Sequence, residues 1–300
     1  MSAAKAISGT AFATLLLIAL MMGANHVAAR IAFNNGVDVA TAVVFRSAVT
    51  AAVIVAILLA QRVRISFSAR HKRMLPLIGL LIGIQSLCLY SAVARLPVAL
   101  ALLAFNTYPI WTALWAWIVY RQRPERAMLI AMPVILLGLA LALDVLGAAS
   151  GLGASGQWSR IGAGVAFALA AAGTFGLALV LTQHETADVD GRVRTATTMV
   201  TAGLIALITV GLQGGFHLPQ APAGWGGLAA LTFLYGTAFT IMFTVLPKLG
   251  VVGNSAIMNV EPVFALVLAW LILGQSIAPV QVAGALVVVA AVMALGLRRR

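Results

Sequence analysis

Charged and polar side chains that lie in apolar runs are the residues of this sequence that could do chemistry. Glu261 stands beside Pro262 in NVEPVFALVLAWLILGQ, residues 259–275, where an ionised carboxylate costs about 2.5–3.5 kcal/mol unless it is paired. His26 follows Asn25 in a second apolar run. Because histidine changes charge near neutral pH, His26 is a candidate proton carrier, and the alternative is a neutral, hydrogen-bonded core residue.

Binding of a zwitterion is a chemistry that these groups could support. The guanidinium of Arg46 or an asparagine amide could bind a carboxylate, and Glu261 with an aromatic ring could bind an ammonium group. A structural ion pair between Arg46 and Glu261 is the alternative, because it would satisfy both charges. Tyr108, Trp111 and Trp115 recur at i, i+3 and i+7, on one predicted helix face. Their rings could contact apolar substrates or pack against another helix, and Trp115, nearer the cytoplasmic end, could instead belong to an interfacial belt.

The candidate substrate-binding residues share one property, a polar or aromatic side chain inside an apolar run. They are Asn25, His26, Arg46, Gln85, Tyr90, Asn106, Tyr108, Trp111, Thr174, Tyr235, Asn259 and Glu261. Of the seven acids, only Glu185, Asp188 and Asp190 cluster, beside two arginines, which predicts a solvated surface instead of a magnesium site. The glycine-rich stretch 147–156 has no lysine after its glycines and predicts an external loop. We therefore expect no enzyme, no cofactor and no metal ion.

Apolar runs of membrane-spanning length must position these residues. The chain is 62% apolar and 9% charged, with a mean hydropathy of +1.07, whereas soluble domains are about 45–50% apolar and about 25% charged. A helix needs roughly 20 apolar residues to cross a membrane. The sequence therefore predicts an all-α polytopic membrane protein with ten transmembrane helices. They lie near 10–33, 37–59, 75–94, 97–119, 127–147, 160–182, 195–213, 226–247, 251–273 and 278–297.

The net charge of +12 follows this predicted topology. With the N-terminus in the cytoplasm, most of the 19 Lys and Arg residues fall in cytoplasmic loops or at the termini, as the positive-inside rule requires. This predicts a bacterial-type inner membrane protein with both termini cytoplasmic, and it gives no reason to expect a nucleic-acid partner. The first 30 residues resemble a signal peptide, but we expect them to remain as the first span.

The sequence repeats itself at an offset of 153 residues. NTYPIWTALWAWIVYRQ (106–122) aligns without gaps with 259–275, matching an asparagine, a proline, an Ala-Trp pair and a glutamine. The match relates span 4 to span 9, so each half has five spans and the second half must be inverted in the membrane. Inverted repeats are typical of secondary transporters that bind substrate near the midplane. Pro109 and Pro262 predict paired helix kinks at that depth, with packing kinks as the alternative.

The segment EPVFALVLAWLILGQ, followed by VAGALVV, resembles the end-of-repeat motif of EamA-type carriers of the drug/metabolite transporter superfamily. Glu261-Pro262, Leu273-Gly274 and Gly284 match that motif. The resemblance implies two inverted five-helix repeats, 1–150 and 151–300, around a central cavity. Within the family the layout is most similar to YddG-type amino-acid exporters.

One departure from the family concerns proton coupling. The acid that ends the family motif is Gln275 here, and the parallel position in the first half is Gln122. A proton-carrying role of those family acids cannot apply to this chain, which favours facilitated diffusion over proton exchange.

These observations together predict a monomeric alternating-access carrier of small amino acids or related metabolites, including apolar and aromatic ones, and the resemblance alone implies that it exports them. A drug or nucleotide-sugar carrier of the same superfamily is the alternative. Anionic nucleotides would favour several cations in the cavity, and only Arg46 and Arg30 lie within spans that could supply them. A channel is disfavoured because no clear selectivity filter or charged ring is present.

Overall fold

Helices form the regular structure of the described residues. The computed structural model describes residues 9–63, 65–124, 126–244 and 260–298, and no strand occurs in these ranges. Eleven helices lie there in chain order: α1 (Gly9–Asn34), α2 (Val39–Ala60), α3 (Ala69–Arg95), α4 (Val98–Phe105), α5 (Tyr108–Tyr120), α6 (Arg126–Ala142), α7 (Gly153–Glu185), α8 (Gly191–Leu212), α9 (Pro222–Thr244), α10 (Glu261–Leu273) and α11 (Pro279–Arg298).

Seven helical segments in these ranges are long and apolar enough to cross a membrane, and one of them, Val98–Tyr120, joins α4 and α5. Three shorter apolar helices, Leu129–Ala142, Glu261–Leu273 and Pro279–Ala294, correspond to the other predicted spans. The predicted ninth span begins outside the described residues. The predicted external loop 147–156 is partly wrong, because α7 already begins at Gly153.

The predicted fourth span is interrupted directly before Pro109. Helix α4 ends at Phe105 and α5 begins at Tyr108, with Pro109 in its first turn. Proline has no backbone N–H to continue the helical ladder. At the break, the backbone makes hydrogen bonds between residues three apart instead of four. The Thr107 N–H donates to the Ala104 carbonyl at 3.3 Å, and the Ile110 N–H donates to the Thr107 carbonyl at 2.9 Å.

Helices α5 and α10 have the same length and the same ends. Each has 13 residues, carries its proline in the first turn and is followed by a residue in the left-handed conformation. These residues are Arg121 (φ 56°) and Gly274 (φ 63°). The next N–H groups, of Gln122 and Gln275, donate to the Ala116 and Ala269 carbonyls at 3.1 and 3.2 Å. Such bonds close a helix C-terminus, so the aligned sequences adopt matching local structures.

The helix packing pairs the two halves of the chain in a reciprocal way. Helix α1 packs against α9 as α3 packs against α7, and α10 packs against α1 as α5 packs against α7. Helix α2 packs against α8 and α9, α3 also packs against α8, and α6 packs against α11. The helices at equivalent positions in the two halves are α1 and α7, α2 and α8, α3 and α9, α5 and α10, and α6 and α11. When the members of each pair are exchanged, every one of these packing contacts becomes another of them or stays the same.

Small residues permit the closest of these approaches. A Cβ atom on Gly284 in α11 would lie 2.6 Å from the Ala142 backbone nitrogen and 2.6 Å from the Gly138 carbonyl oxygen of α6. On α7, a Cβ atom on Gly176 would lie 2.8 Å from the Thr112 backbone nitrogen of α5. Side chains larger than hydrogen would push these helices apart.

A side chain from the far end of α10 caps the beginning of α4. The Val98 N–H donates to the Oε1 atom of Gln275 at 3.1 Å, and the residue before α4, Pro97, makes no side-chain cap of its own. Gln275 stands where the EamA-type motif that this sequence resembles has an acid. It therefore satisfies one of the free N–H groups at a helix start.

Candidate functional site

Five helices bring six of the predicted site residues together. We call this set the Arg46 cluster, and it consists of Asn25 and His26 on α1, Arg46 on α2, Tyr90 on α3, Tyr235 on α9 and Glu261 on α10. All are buried except Glu261, whose side chain is 23% exposed. The cluster therefore combines a cation, a carboxylate, an imidazole, an amide and two phenols inside the helix bundle.

Arg46 lies against aromatic rings instead of a carboxylate. Its Cζ atom lies 4.4 Å from the centroid of the Tyr90 ring and 4.0 Å from that of Tyr235. No carboxylate of the described ranges lies within ion-pair distance of Arg46. Ring faces stabilise a guanidinium, and the buried Nε–H of Arg46 has no hydrogen-bond partner among the described residues, so it is available to an anion in the plane of the guanidinium.

Glu261 pairs with His26, so the alternative of an Arg46–Glu261 ion pair is wrong. The His26 Nε2 atom lies 3.4 Å from the Glu261 Oε1 atom. The physical reason is helix packing: Glu261 begins α10, which packs on α1, whereas Arg46 points from α2 towards rings on α3 and α9. The Tyr90 hydroxyl donates to the Asn25 Oδ1 atom at 2.9 Å, and the Tyr90 ring meets the His26 ring edge to face at 5.7 Å.

Unpartnered polar atoms concentrate on α1 and α2 at this cluster. Among the described residues, the buried side-chain nitrogen and oxygen atoms without a hydrogen-bond partner are Asn25 Nδ2, His26 Nδ1, Arg46 Nε, Ser47 Oγ and Thr50 Oγ1. A buried polar atom without a partner costs about 1–3 kcal/mol. All five atoms belong to residues 25–26 and 46–50. The free-energy cost of unpartnered polar atoms is therefore concentrated at the Arg46 cluster, as is expected of a binding site.

Ser47 and Thr50 are site residues that the sequence reasoning missed. They follow Arg46 at i+1 and i+4, and position i+4 shares a helix face with position i. A Cβ atom on Gly236 would lie 3.3 Å from the Thr50 hydroxyl, which places this hydroxyl against α9 one residue after Tyr235. The spacing from Arg46 was the signal that could have identified Thr50.

A second group of candidates lies on α5 and faces α7. The Tyr108 ring lies 5.2 Å from Phe175 and 5.7 Å from Phe105 between centroids. A Cβ atom on Gly173 would lie 3.7 Å from the Trp111 ring, and the Trp115 Nε1 atom donates to the Gly173 carbonyl at 3.0 Å. The three α5 aromatics therefore share the predicted face, and Trp115 packs against α7.

The remaining candidates lie outside the Arg46 cluster or outside the described residues. Gln85 is buried and its Oε1 atom accepts a hydrogen bond from Ser86, and the Thr174 hydroxyl donates to carbonyls of its own helix. Asn106 is buried at the end of α4. Asn259 lies outside the described residues.

An apolar hollow, not a polar one, lies beside Pro262. It has a volume of about 30 Å³ and is lined by side chains of α4, α10 and α11, including Leu100, Leu103 and Leu266. A volume of this size holds about one water molecule, but its lining offers few polar partners. This hollow is therefore not the predicted pocket for a polar substrate. The side chains of the Arg46 cluster, except Glu261, are buried in the described conformation.

Side chains at one end of the bundle connect the two halves of the chain. Asp188, between α7 and α8, lies 3.1 Å from the His71 Nε2 atom and 3.6 Å from the Arg70 Nη2 atom of α3. The Tyr120 hydroxyl at the end of α5 donates to Glu185 at the end of α7. These acids were predicted to form a solvated surface, but Glu185 and Asp188 also link α5 and α3 to the second half.

Asp188 is expected to make stability depend on pH. Its pKa is lowered by a hydrogen bond from its own backbone N–H and then by His71 and Arg70. A lowered folded-state pKa gives stabilisation that is complete above the unfolded value, about 4, and is lost as the pH falls through the folded value. The thermal unfolding midpoint should therefore fall less steeply below pH 4 in Asp188→Asn than in the unsubstituted protein. Equal slopes in a thermal melt series would contradict this assignment.

Comparison with known proteins agrees with this helical architecture. The model of the EamA-like transporter family matches the chain twice, at residues 9–143 and 162–297. No curated protein matches the chain. One solved structure, described only as a crystal structure of a protein, is 19% identical, with 97% of this chain and 99% of that chain covered and a TM-score of 0.60. At this identity the likeness concerns the fold alone.

The class of protein follows from the long apolar helices and the family match: this is a multi-pass membrane protein. The chain belongs to the EamA-like transporter family of the drug/metabolite transporter superfamily, whose members are transporters and not enzymes.

Proposed function

We propose that this protein is an alternating-access carrier that exports small amino acids or related metabolites, as the resemblance to YddG-type exporters implies. The observation that carries the substrate class is the Arg46 cluster. Its unpartnered donors, Arg46 Nε and Asn25 Nδ2, with the hydroxyls of Ser47 and Thr50, are suited to a carboxylate. The partly exposed Glu261 carboxylate is suited to an ammonium group. A zwitterion would satisfy both sets at once.

The architecture that we propose for this transport is two inverted five-helix repeats, residues 1–150 and 151–300, in a bacterial-type inner membrane with both termini cytoplasmic. Three observations support it: the 153-residue sequence offset, the reciprocal packing of the helices and the two separate family matches. The orientation rests on the excess of Lys and Arg in the loops assigned to the cytoplasm. We expect the monomer to be sufficient, without a cofactor.

A drug or nucleotide-sugar carrier is the second candidate within the family. The aromatic face of Tyr108, Phe105 and Phe175 would suit a planar drug, but a nucleotide diphosphate needs more than one cation. Arg30 donates an N–H to the Val93 carbonyl and is not part of the Arg46 cluster, in which Arg46 is the cation. One guanidinium in the cluster favours a single carboxylate.

Counterflow in liposomes tests the proposed substrate class. Purified protein is reconstituted with unlabelled amino acids, nucleosides or cationic drugs inside, and uptake of the matching labelled compound is followed. We expect small apolar zwitterions such as leucine to exchange at least about tenfold faster than leucinamide, which lacks the carboxylate, since tenfold corresponds to about 1.4 kcal/mol. Exchange of nucleosides or drugs without exchange of any amino acid would overturn the proposal.

A further inference from the structure

His26 and Glu261 form an acid–base pair inside the helix bundle. The His26 Nε2 atom lies 3.4 Å from Glu261 Oε1, and the two side chains are 2% and 23% exposed. The buried Nδ1 atom of His26 has no hydrogen-bond partner, so the imidazole is not fixed between two protein groups as a structural histidine usually is.

The surroundings of this pair contain few other groups that change charge. The ionisable side chains that the neighbouring helices place in the cluster are Tyr90 of α3, Arg46 of α2 and Tyr235 of α9, while α4 has no titratable side chain. On α1 itself, Arg30 lies one turn after His26 and donates to the Val93 carbonyl. Arg46 is separated from His26 by the Tyr90 ring, which it overlies at 4.4 Å. Glu261 is therefore the carboxylate for which a proton and a bound ammonium group would compete.

We propose that the His26–Glu261 pair is a proton-binding site and that the carrier exchanges one proton for one zwitterion. This rests on the proposed function, because it assigns the substrate ammonium to Glu261. With its proton, on either residue, the pair has no net charge; without it, the pair has a charge of −1. Only the charge of −1 balances an arriving ammonium group, and an imidazolium and an ammonium at one carboxylate would repel each other.

Binding of proton and substrate is thus linked, and linkage is reciprocal: the ammonium group expels the proton, and the proton expels the substrate. Each transport cycle moves a neutral zwitterion in one direction and one positive charge in the other. At zero membrane potential, a gradient of one pH unit would then support an accumulation of about tenfold, because one pH unit is a factor of ten in proton activity. Proton exchange at this pair differs from the sequence-based expectation of facilitated diffusion, which rested on Gln122 and Gln275 in place of the family's acids.

The test measures leucine accumulation in liposomes whose interior is one pH unit more acidic than the medium. Valinomycin with equal potassium on both sides holds the membrane potential at zero. The unsubstituted protein should concentrate labelled leucine inside about tenfold, in keeping with one proton per leucine. In weakly buffered detergent solution, leucine should also release about one proton per protein molecule. Counterflow without a pH gradient is measured in parallel to report the proposed function by itself.

Variants at the pair identify the site. Glu261→Gln and His26→Gln should both lower the accumulation ratio from about ten to about one, and Glu261→Asp should restore part of it. The control His217→Gln changes a histidine that is exposed and lies 3.0 Å from Asp38, away from the cluster, and should keep the tenfold ratio. Elution as a single peak in size-exclusion chromatography shows that each variant is folded.

Three results would overturn the inference. Leucine counterflow with an accumulation ratio of one in the unsubstituted protein would remove proton exchange while leaving the proposed function intact. A tenfold ratio in His26→Gln or Glu261→Gln would remove the pair as the proton site. Absence of counterflow for every amino acid would overturn the proposed function and this inference together.

Discussion

Arg46→Leu should strongly reduce leucine counterflow without destabilising the protein. Hydrogen bonds to charged groups contribute about 1.5–3 kcal/mol, so losing those between this guanidinium and a carboxylate should slow exchange by about ten- to 100-fold. Stability should be unchanged or higher, because leucine replaces a buried cation that has no carboxylate partner in the described structure. Counterflow and a thermal melt of the same preparation measure the two effects.

Two comparisons show whether the loss is specific to the Arg46 charge and geometry. Arg46→Lys keeps a charge but loses the planar fork that stacks on Tyr90 and Tyr235, so an intermediate loss is expected. Arg95→Leu removes another arginine that lies over an aromatic ring, 4.7 Å from the centroid of Phe167, but outside the cluster, and should exchange leucine normally. Normal leucine exchange by Arg46→Leu would contradict the assignment of the carboxylate to Arg46.

Gly284→Ala should have the second large effect, on folding. The added Cβ atom would lie 2.6 Å from two backbone atoms of α6, which cannot rotate away as a side chain could. Forcing an extra methyl group into such a contact costs about 1–3 kcal/mol. We therefore expect a lower thermal unfolding midpoint and a smaller folded fraction in size-exclusion chromatography.

Gly211→Ala is the matched control, because it makes the same chemical change in α8 where no atom lies within 4 Å of the new Cβ. Alanine is a better helix former than glycine by about 1 kcal/mol, so this variant should melt no lower than the unsubstituted protein. Equal midpoints for the two alanine variants would contradict the close contact between α6 and α11.

The apolar runs predicted most of the helices, but not that α7 begins at Gly153. Six of the twelve polar or aromatic candidates within those runs lie in the Arg46 cluster, whereas the neighbouring Ser47 and Thr50 were missed. The partners within the cluster could not be predicted in the same way. Arg46 and Glu261 have opposite charges, but a linear sequence does not specify how α2 and α10 are rotated about their axes. Their rotations direct Arg46 to two tyrosines and Glu261 to His26.

The aromatic group on α7 illustrates a different limit. Phe175 contacts both Tyr108 and Phe105, but a phenylalanine in an apolar helix has no sequence feature that separates it from a lipid-facing one. By contrast, the left-handed ends of α5 and α10 lie at positions that the repeat alignment pairs, Arg121 and Gly274. The alignment identified these positions as equivalent, whereas their conformation and the contacts between helices required the structure.

The cap that Gln275 provides for α4 has a mechanical consequence. Since the hydrogen bond joins the start of α4 to Gln275, just after the end of α10, we expect these two ends to move together if the carrier changes conformation as proposed. The side-chain amide of Gln275 does not ionise, so a lower pH does not change its charge or weaken this hydrogen bond. An aspartate or glutamate at this position would lose its negative charge on protonation. We therefore expect any bending of this span to occur at the break at Asn106 and Thr107, between α4 and α5, and not at the capped start of α4.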